Sequence, residues 1–345
     1  LTRTRADKAP IHNQLIAMIH SRAKRLPGDN TYNIVVKVDF AGDINPLHLR
    51  RSFADCVESH PVFRSAFTET QEGLWLEDSR QKTPDILIYD SDPEAITSRA
   101  KELRAEHLDI STAPLWRAEI LCTRDSATLL FCVHHAIFDG WSLNLLLEEL
   151  AARYEAREVS SGLNWFDYCQ WACCLPQSEP FARSIAYWKN KLDSVNAHTE
   201  LPADFVQKRA NANQSLSLSF EADIVSRLKA FADKQGLTLS PLLFALYLVW
   251  IWRLTGQEEL VSGYPYAGRD IPGSEDILGM FVTMGFLRQT VEPQKPFKDL
   301  ALAVHRQMLE DKDHLLATPY DAQIAGLENL NLIFSLQSGI SLEGH

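Results

Sequence analysis

Residues 131–142 read FCVHHAIFDGWS. An apolar run ends on two adjacent histidines, an Asp-Gly pair follows, and the apolar segment LNLLLEELAARYEA begins at residue 143. Upstream, two apolar runs flank Thr123-Arg124-Asp125-Ser126, the pattern of a β-hairpin whose second strand feeds the histidines. Downstream, Ser142 is the expected N-cap of an amphipathic helix. The stretch therefore occupies a strand–loop–helix junction. Successive strand side chains point to opposite faces, so His134 and His135 should do different jobs, one facing inward and the other a cleft. A free imidazole titrates at about pH 6.5 and accepts a proton at neutral pH. Asp139 can pair with an arginine and pin the loop, while Gly140 permits backbone geometry or a close ligand approach that a side chain hinders. Two readings stand at this point: a buried histidine pair before an ordinary turn, or a base held at a cleft mouth. No further metal-type ligand lies nearby, so no metal is expected.

The bulk properties narrow the setting. A chain of 345 residues fits two domains or one large α/β unit. A hydrophobic share of 46% with 23% charged residues is the balance of a folded globular protein. The net charge of −11 disfavours nucleic acid and anionic membrane as partners. The longest apolar run, LSPLLFALYLVWIW (239–252), is shorter than a membrane span needs and reads as a core helix. LTRTRADKAP has no signal-peptide core, and a cytoplasmic location is expected. Cys56, Cys122, Cys132, Cys169, Cys173 and Cys174 lack zinc-site spacing and read as buried free thiols.

Pattern along the chain predicts strands at 32–40 and near 85–90, a helix at 45–59, a hairpin over 62–78, and a helix from Pro93 to His107. Further helices are expected at 166–172 and 181–194, then a linker at 201–214. Beyond it, SLSLSFEA reads as a strand, followed by helices near 222–236, 240–254 and 296–312. Strands are expected around LVSGYPYA, FVTMGFLRQTV and NLIFSLQ. Both halves mix strands with long helices, an α/β class with two layers and a cleft. Glu148, Glu149, Glu155 and Glu158 read as a solvated helix face, and Trp165, Tyr168, Trp171 and Trp188 as core.

VHHAIFDGWS resembles the HHxxxDG signature of condensation domains from nonribosomal peptide synthetases, within the chloramphenicol-acetyltransferase-like superfamily. Other segments match in order. Tyr32-Asn33-Ile34 resembles the early YNI element, and SHPVFRSAF (59–67) resembles RHExLRTxF, keeping His60, Arg64 and Phe67. WFDYCQW (165–171) resembles YxDYAxW; Tyr187-Trp188 with Leu192, then Leu201-Pro202 with Asp204, match the YW…L and LPxD elements. GYPYAGR (263–269), ILGMFVTMGFLR (277–288) and ATPYDA (317–322) resemble GxPxxGR, GxFVNTLPLR and QDxPFE. The likeness covers nearly the whole chain. There are departures: Thr283-Met284 stands where the family has Asn-Thr, which removes a carboxamide contact to substrate, and the usual aromatic and arginine residues are absent around Gln14.

The resemblance implies a fold of two acetyltransferase-like lobes in a V shape with a tunnel between them, residues 1–200 and 201–345. The second lobe is expected to be incomplete at its C-terminal end, because SLEGH falls short of where family members usually stop. It also implies amide-bond formation between a donor acyl or peptidyl thioester and an acceptor amine. Phosphopantetheine arms of donor and acceptor carrier proteins deliver both, an adenylation domain is an expected neighbour, and no directly bound cofactor is implied. His135 is the implied working histidine and His134 its structural partner. Asp139 is expected to pair with Arg269, and the Gly140 N–H is a candidate oxyanion donor. Trp141, Ser142, Arg64, Tyr264, Thr283 and Met284 are candidates for the tunnel wall, with a fold-stabilising ion pair as the plainer role for Arg64. Alternatives are an epimerization domain, a stand-alone or starter acyltransferase making an amide or ester, and a non-catalytic recruitment domain of the same fold. The serine of this motif is followed by Leu143 rather than the epimerization tryptophan, and all four signature residues are kept.

Overall fold

The expected strand–loop–helix junction is present in the computed structural model, which describes residues 1, 3, 6–42, 44–80, 84–124, 126–159, 162–202 and 216–336. The chain divides into two compact units. One holds Leu1–Pro176 and Ala267–Thr283, the other Gln177–Tyr266 and Met284–Leu336. This division differs from the boundary expected at 200. Trp188 is fully buried in the second unit, its indole donating to the carbonyls of Ala317 (2.8 Å) and His314 (3.0 Å). A short segment, 267–283, returns to the first unit. The expected linker falls largely on 203–215, outside the described residues.

The first unit runs β1 (Lys8–Pro10), α1 (Gln14–Arg25), β2 (Asn33–Ala41), α2 (Pro46–Ser59), β3 (Ser65–Thr70), β4 (Gly73–Asp78), β5 (Leu87–Asp90), α3 (Pro93–Ala105), β6 (Trp116–Cys122), β7 (Ser126–His134), α4 (Gly140–Tyr154) and α5 (Trp165–Ala172). β2, β7, β6 and β5 form one sheet in that order, and β1, β4 and β3 a second. β5 and β6 are parallel, joined through α3, whereas β7 pairs antiparallel with both neighbours. A strand covered on both faces should be apolar without alternation, and β7 is buried from Ala127 to His134. Its register sets Asn33 opposite His134. α2 starts where Asn45 accepts from the Leu47 and His48 amides and Pro46 supplies a preset φ. It lays Phe53 on Phe131, with ring centroids 5.4 Å apart, and Phe131 packs edge-on against Phe138 at 5.6 Å. This aromatic cluster anchors the loop after the histidines.

The second unit contains α6 (Glu179–Lys191), α7 (Ala222–Lys234), α8 (Leu239–Thr255), β8 (Glu259–Tyr266), β9 (Thr283–Thr290) and α9 (Phe297–Lys312), with β8 and β9 paired. α8 is the expected core helix. It buries Phe244, Leu248 and Ile251 against Leu260, Tyr264, Leu287 and Val304, and ends at Gly256 in the left-handed region, φ +73°. No single described helix is long and apolar enough to cross a membrane.

Several expectations are corrected here. SLSLSFEA does not form a strand over its described residues: Leu216, Leu218 and Phe220 are 87, 75 and 69% exposed, because alternation alone supplies no neighbouring strand to pair with. Over its described residues NLIFSLQ reduces to one isolated bridge, Ile333 to Gly263. Tyr264 is a core residue rather than a cavity wall. Its hydroxyl donates to Asp311 (2.8 Å), which also accepts from Tyr187 (2.6 Å) and pairs with Lys191. Met284 is likewise buried, among Trp188, Val261 and Phe286. Glu149 is not solvated: it accepts from His60 Nε2 (2.6 Å) and pairs with Arg153 (2.7 Å). Of the thiols, Cys56, Cys132 and Cys169 are buried, but Cys174 is exposed.

Candidate active site

All the central residues lie in the first unit. β7 ends at His134, and the next residues close a tight corner in which Ala136, Ile137 and Phe138 are fully buried. His134 is 3% exposed and turned inward, whereas His135, the first residue of the turn beyond β7, is only half-buried, so the two rings differ in environment as expected. The Ala136 N–H donates to His134 Nδ1 (3.1 Å), so the neutral ring carries its proton on Nε2. Burial pulls the His134 pKa down to about 4; repulsion from His135 adds to this and Asp29 opposes it. His134 is therefore a neutral packing residue at physiological pH.

His135 is set up differently. Its Nδ1 lies 2.7 Å from the carbonyl oxygen of Phe138, which can only accept. Nδ1 must carry the proton, which leaves Nε2 as the basic nitrogen of the neutral ring. The Phe138 side chain is locked in the aromatic cluster, so the acceptor that fixes this tautomer is itself fixed.

Asp139 terminates the corner. It, rather than Ser142, is the N-cap of α4, accepting from the Ser142 amide (2.8 Å). Its two oxygens also lie 3.1 and 3.2 Å from Arg269 Nη2, and Oδ2 accepts from the Phe281 N–H (3.0 Å). Both members of the ion pair are almost fully buried, at 1 and 3% side-chain exposure. Arg269 Nη1 donates to the Ser274 and Ile277 carbonyls, 2.7 Å each, and the guanidinium lies 4.1 Å from the Phe281 ring centroid. Burial lowers the Arg269 pKa while Asp139 opposes the shift. The Ser142 hydroxyl donates to the Gly279 carbonyl (2.8 Å) and accepts from the Gly279 amide (3.0 Å) and Arg269 (3.1 Å). Asp139, Ser142 and Arg269 thus clamp segment 267–283 onto the start of α4.

Glycine is required twice in that segment. Gly268, at φ +69°, would bring a Cβ to 2.1 Å from the Phe281 carbonyl, and Gly279 would bring one to 2.5 Å from the Trp165 indole. Gly140, by contrast, is exposed, and its N–H belongs to the first turn of α4, where amides have no intrahelical acceptor.

Three further candidates are placed differently from one another. Trp141 is 45% exposed, donates through Nε1 to the Glu275 carbonyl (2.9 Å) and has its ring centroid 5.7 Å from the Arg269 guanidinium. It covers the clamp. Arg64 is committed elsewhere, with Nε 2.9 Å from both Asp78 oxygens and Nη1 3.0 Å from the Glu58 carbonyl. This is the fold-stabilising ion pair. Thr283 is half-buried at the start of β9. The Phe138 carbonyl and the Gly279 and Phe281 backbone groups were invisible to sequence reasoning, since peptide groups carry no residue-type signal.

The condensation-domain profile matches residues 20–323. The chain therefore belongs to the condensation-domain family. It is 30% identical over 295 residues to a plipastatin synthase of Bacillus subtilis (strain 168), a match that covers 83% of this chain and 8% of that protein. It is 29% identical over 311 residues to a linear gramicidin synthase of Brevibacillus parabrevis, 84% of this chain and 6% of that one. The chain thus spans a small part of the curated relatives it matches. In three dimensions it resembles the first condensation domain of the CDA synthetase, with TM-score 0.76 and 19% identity over 92% of this chain and 79% of that one. It also resembles the X-domain from teicoplanin biosynthesis, with TM-score 0.80 and 21% identity over 94 and 76% of the two chains. At these identities the structural likeness speaks to the fold: mixed α/β with several sheets.

Proposed function

We propose that this condensation domain joins a donor acyl or peptidyl thioester to an acceptor amine, each carried on the phosphopantetheine arm of a carrier protein. The reading is carried by the fixed tautomer of His135 inside the HHxxxDG corner. In aminolysis the amine nitrogen attacks the thioester carbonyl, the nitrogen loses a proton, and the thiolate leaves. His135 Nε2 accepts the hydrogen bond that aligns the amine and takes up that proton. The Phe138 carbonyl stabilises the resulting imidazolium through Nδ1–H. The Gly140 N–H, at the positive end of α4, is the candidate donor to the developing oxyanion. Asp139 and Arg269 hold the corner and do no proton chemistry. A thioester is already reactive toward amines, so alignment supplies much of the rate, up to about 7–11 kcal/mol in ideal intramolecular cases. Proton acceptance adds roughly 10²–10⁴-fold.

The test is mass-spectrometric detection of condensed product from donor- and acceptor-loaded carriers. His135→Ala should lower the rate on the order of 10²–10⁴-fold. His135→Gln keeps an acceptor but no base: a rate close to wild type assigns the residue to alignment, and one as low as alanine assigns it to proton transfer. Wild-type chain that binds both loaded carriers yet forms no amide or ester would refute the proposal. One observation favours a second reading, recruitment of a partner enzyme, because the X-domain that this fold also matches was solved in complex with OxyB. Retention of both histidines, Asp139 and Gly140 favours condensation.

A further inference from the structure

Outside this site the first unit carries a pair of adjacent thiols that the condensation chemistry does not use. Cys173 and Cys174 follow directly on α5, with Sγ atoms 4.0 Å apart. Cys174 is exposed and Cys173 half-buried. None of the remaining thiols has an adjacent thiol in sequence, and three of them, Cys56, Cys132 and Cys169, are buried away from solvent. Burial raises their pKa values and that of the partly exposed Cys173 too, which leaves the exposed Cys174 as the thiol that solvent oxidants reach first.

We propose that Cys173 and Cys174 are a reversible redox modification site, closed to a vicinal disulfide by hydrogen peroxide and reopened by a small thiol reductant. The exposed Cys174 thiolate attacks one peroxide oxygen, the O–O bond breaks, and hydroxide leaves, giving a sulfenic acid. Cys173 then attacks the Cys174 sulfur, the S–S bond forms, and the sulfenic oxygen departs as water. The pair gives up two electrons and two protons, and one peroxide becomes two waters. A reductant reverses this by exchange, its own thiols becoming the disulfide.

Geometry makes the closed form labile. Consecutive Cα atoms lie about 3.8 Å apart, shorter than the usual disulfide range of about 4.4–6.8 Å, so the bond is strained and readily reduced. Closure also has a local structural cost. The Cys173 amide donates to the Cys169 carbonyl and the Cys174 amide to the Trp171 carbonyl, both at 3.1 Å, and the Cys173 thiol donates to the Gln170 carbonyl at 2.9 Å. Drawing the sulfurs together twists the peptide between them and loosens these last-turn bonds of α5. That helix carries Trp165 against Gly279 and Tyr168 against Phe281, ring centroids 4.4 Å apart, so the loosening reaches the clamped segment.

The experiment treats the whole chain with peroxide, blocks remaining thiols with iodoacetamide, and digests with trypsin and chymotrypsin, since cleavage after Trp171 parts Cys169 from the pair. Expected is an unalkylated Cys173–Cys174 fragment, lighter by two hydrogens, that dithiothreitol returns to the doubly alkylated form. Cys173→Ser should leave Cys174 as a sulfenic acid captured by dimedone. Oxidised chain should show a lower urea midpoint than reduced chain, and a Cys173→Ser/Cys174→Ser variant should show no such difference. A Cys169 cross-link, or Cys174 oxidised alone in wild type while Cys173 stays alkylated, would overturn the proposal. These readouts are independent of condensation activity.

Discussion

Acidification should destabilise the first unit through His134 specifically. The folded chain keeps this imidazole neutral, with a pKa lowered to about 4, whereas an unfolded histidine titrates at about 6.5. A depressed folded pKa means that the unfolded chain takes up a proton first. The stability is fully present above about pH 6.5 and is lost as pH falls toward 4. Between pH 7 and 5 the difference in proton uptake costs about 2 kcal/mol, rising to about 3 kcal/mol below pH 4. The cause is burial, because the ring is 3% exposed and its Nδ1 already accepts from Ala136 N–H. Urea unfolding of wild type and His134→Asn at both pH values isolates the effect, since the asparagine oxygen keeps an acceptor for that amide but does not titrate. The variant should lose about 2 kcal/mol less than wild type between the two pH values, whatever its stability at pH 7. Equal losses in the two chains would sink the reasoning and place a proton acceptor beside Nδ1 or a route for water to the ring.

Two further substitutions test the clamp. Arg269→Gln leaves Asp139 buried without its cation and should cost about 3–5 kcal/mol in urea unfolding, with Asp139→Asn in the same background recovering part of that loss. Full stability in the single variant would show that the Phe281 and Ser142 amides suffice to hold the carboxylate. Gly279→Ala sets a methyl 2.5 Å from the buried Trp165 ring and should cost about 1–3 kcal/mol or more, read as a lower urea midpoint; an unchanged midpoint would show that the indole can move.

Much of the first unit was legible in the sequence because its signals are local. The hairpin into the histidines and the Asn45-Pro46 helix start each depend on neighbours a few residues apart, as does the apolar run of α8 in the second unit. Where a pattern needed a distant partner, sequence reading failed. SLSLSFEA alternates as a strand does, yet its described residues have no strand to pair with. Ser142 sits where a cap is expected, but Asp139 takes that role and frees the hydroxyl to bridge both backbone groups of Gly279, 137 residues away. Tyr264 looked like a wall residue because strand alternation gives two faces without saying which is buried; Asp311 decides that.

The motif by itself determined which residues meet at the corner, since HHxxxDG fixes their order along one turn of chain, and it determined that the two histidines must differ. Only the tertiary structure decided how they differ. Packing of Phe138 against Phe131 aims a carbonyl at His135 and burial neutralises His134, while the Asp139–Arg269 pair forms across 130 residues. Tautomer, charge state and clamp all depend on backbone groups and solvent exclusion, which exist only once the chain has folded.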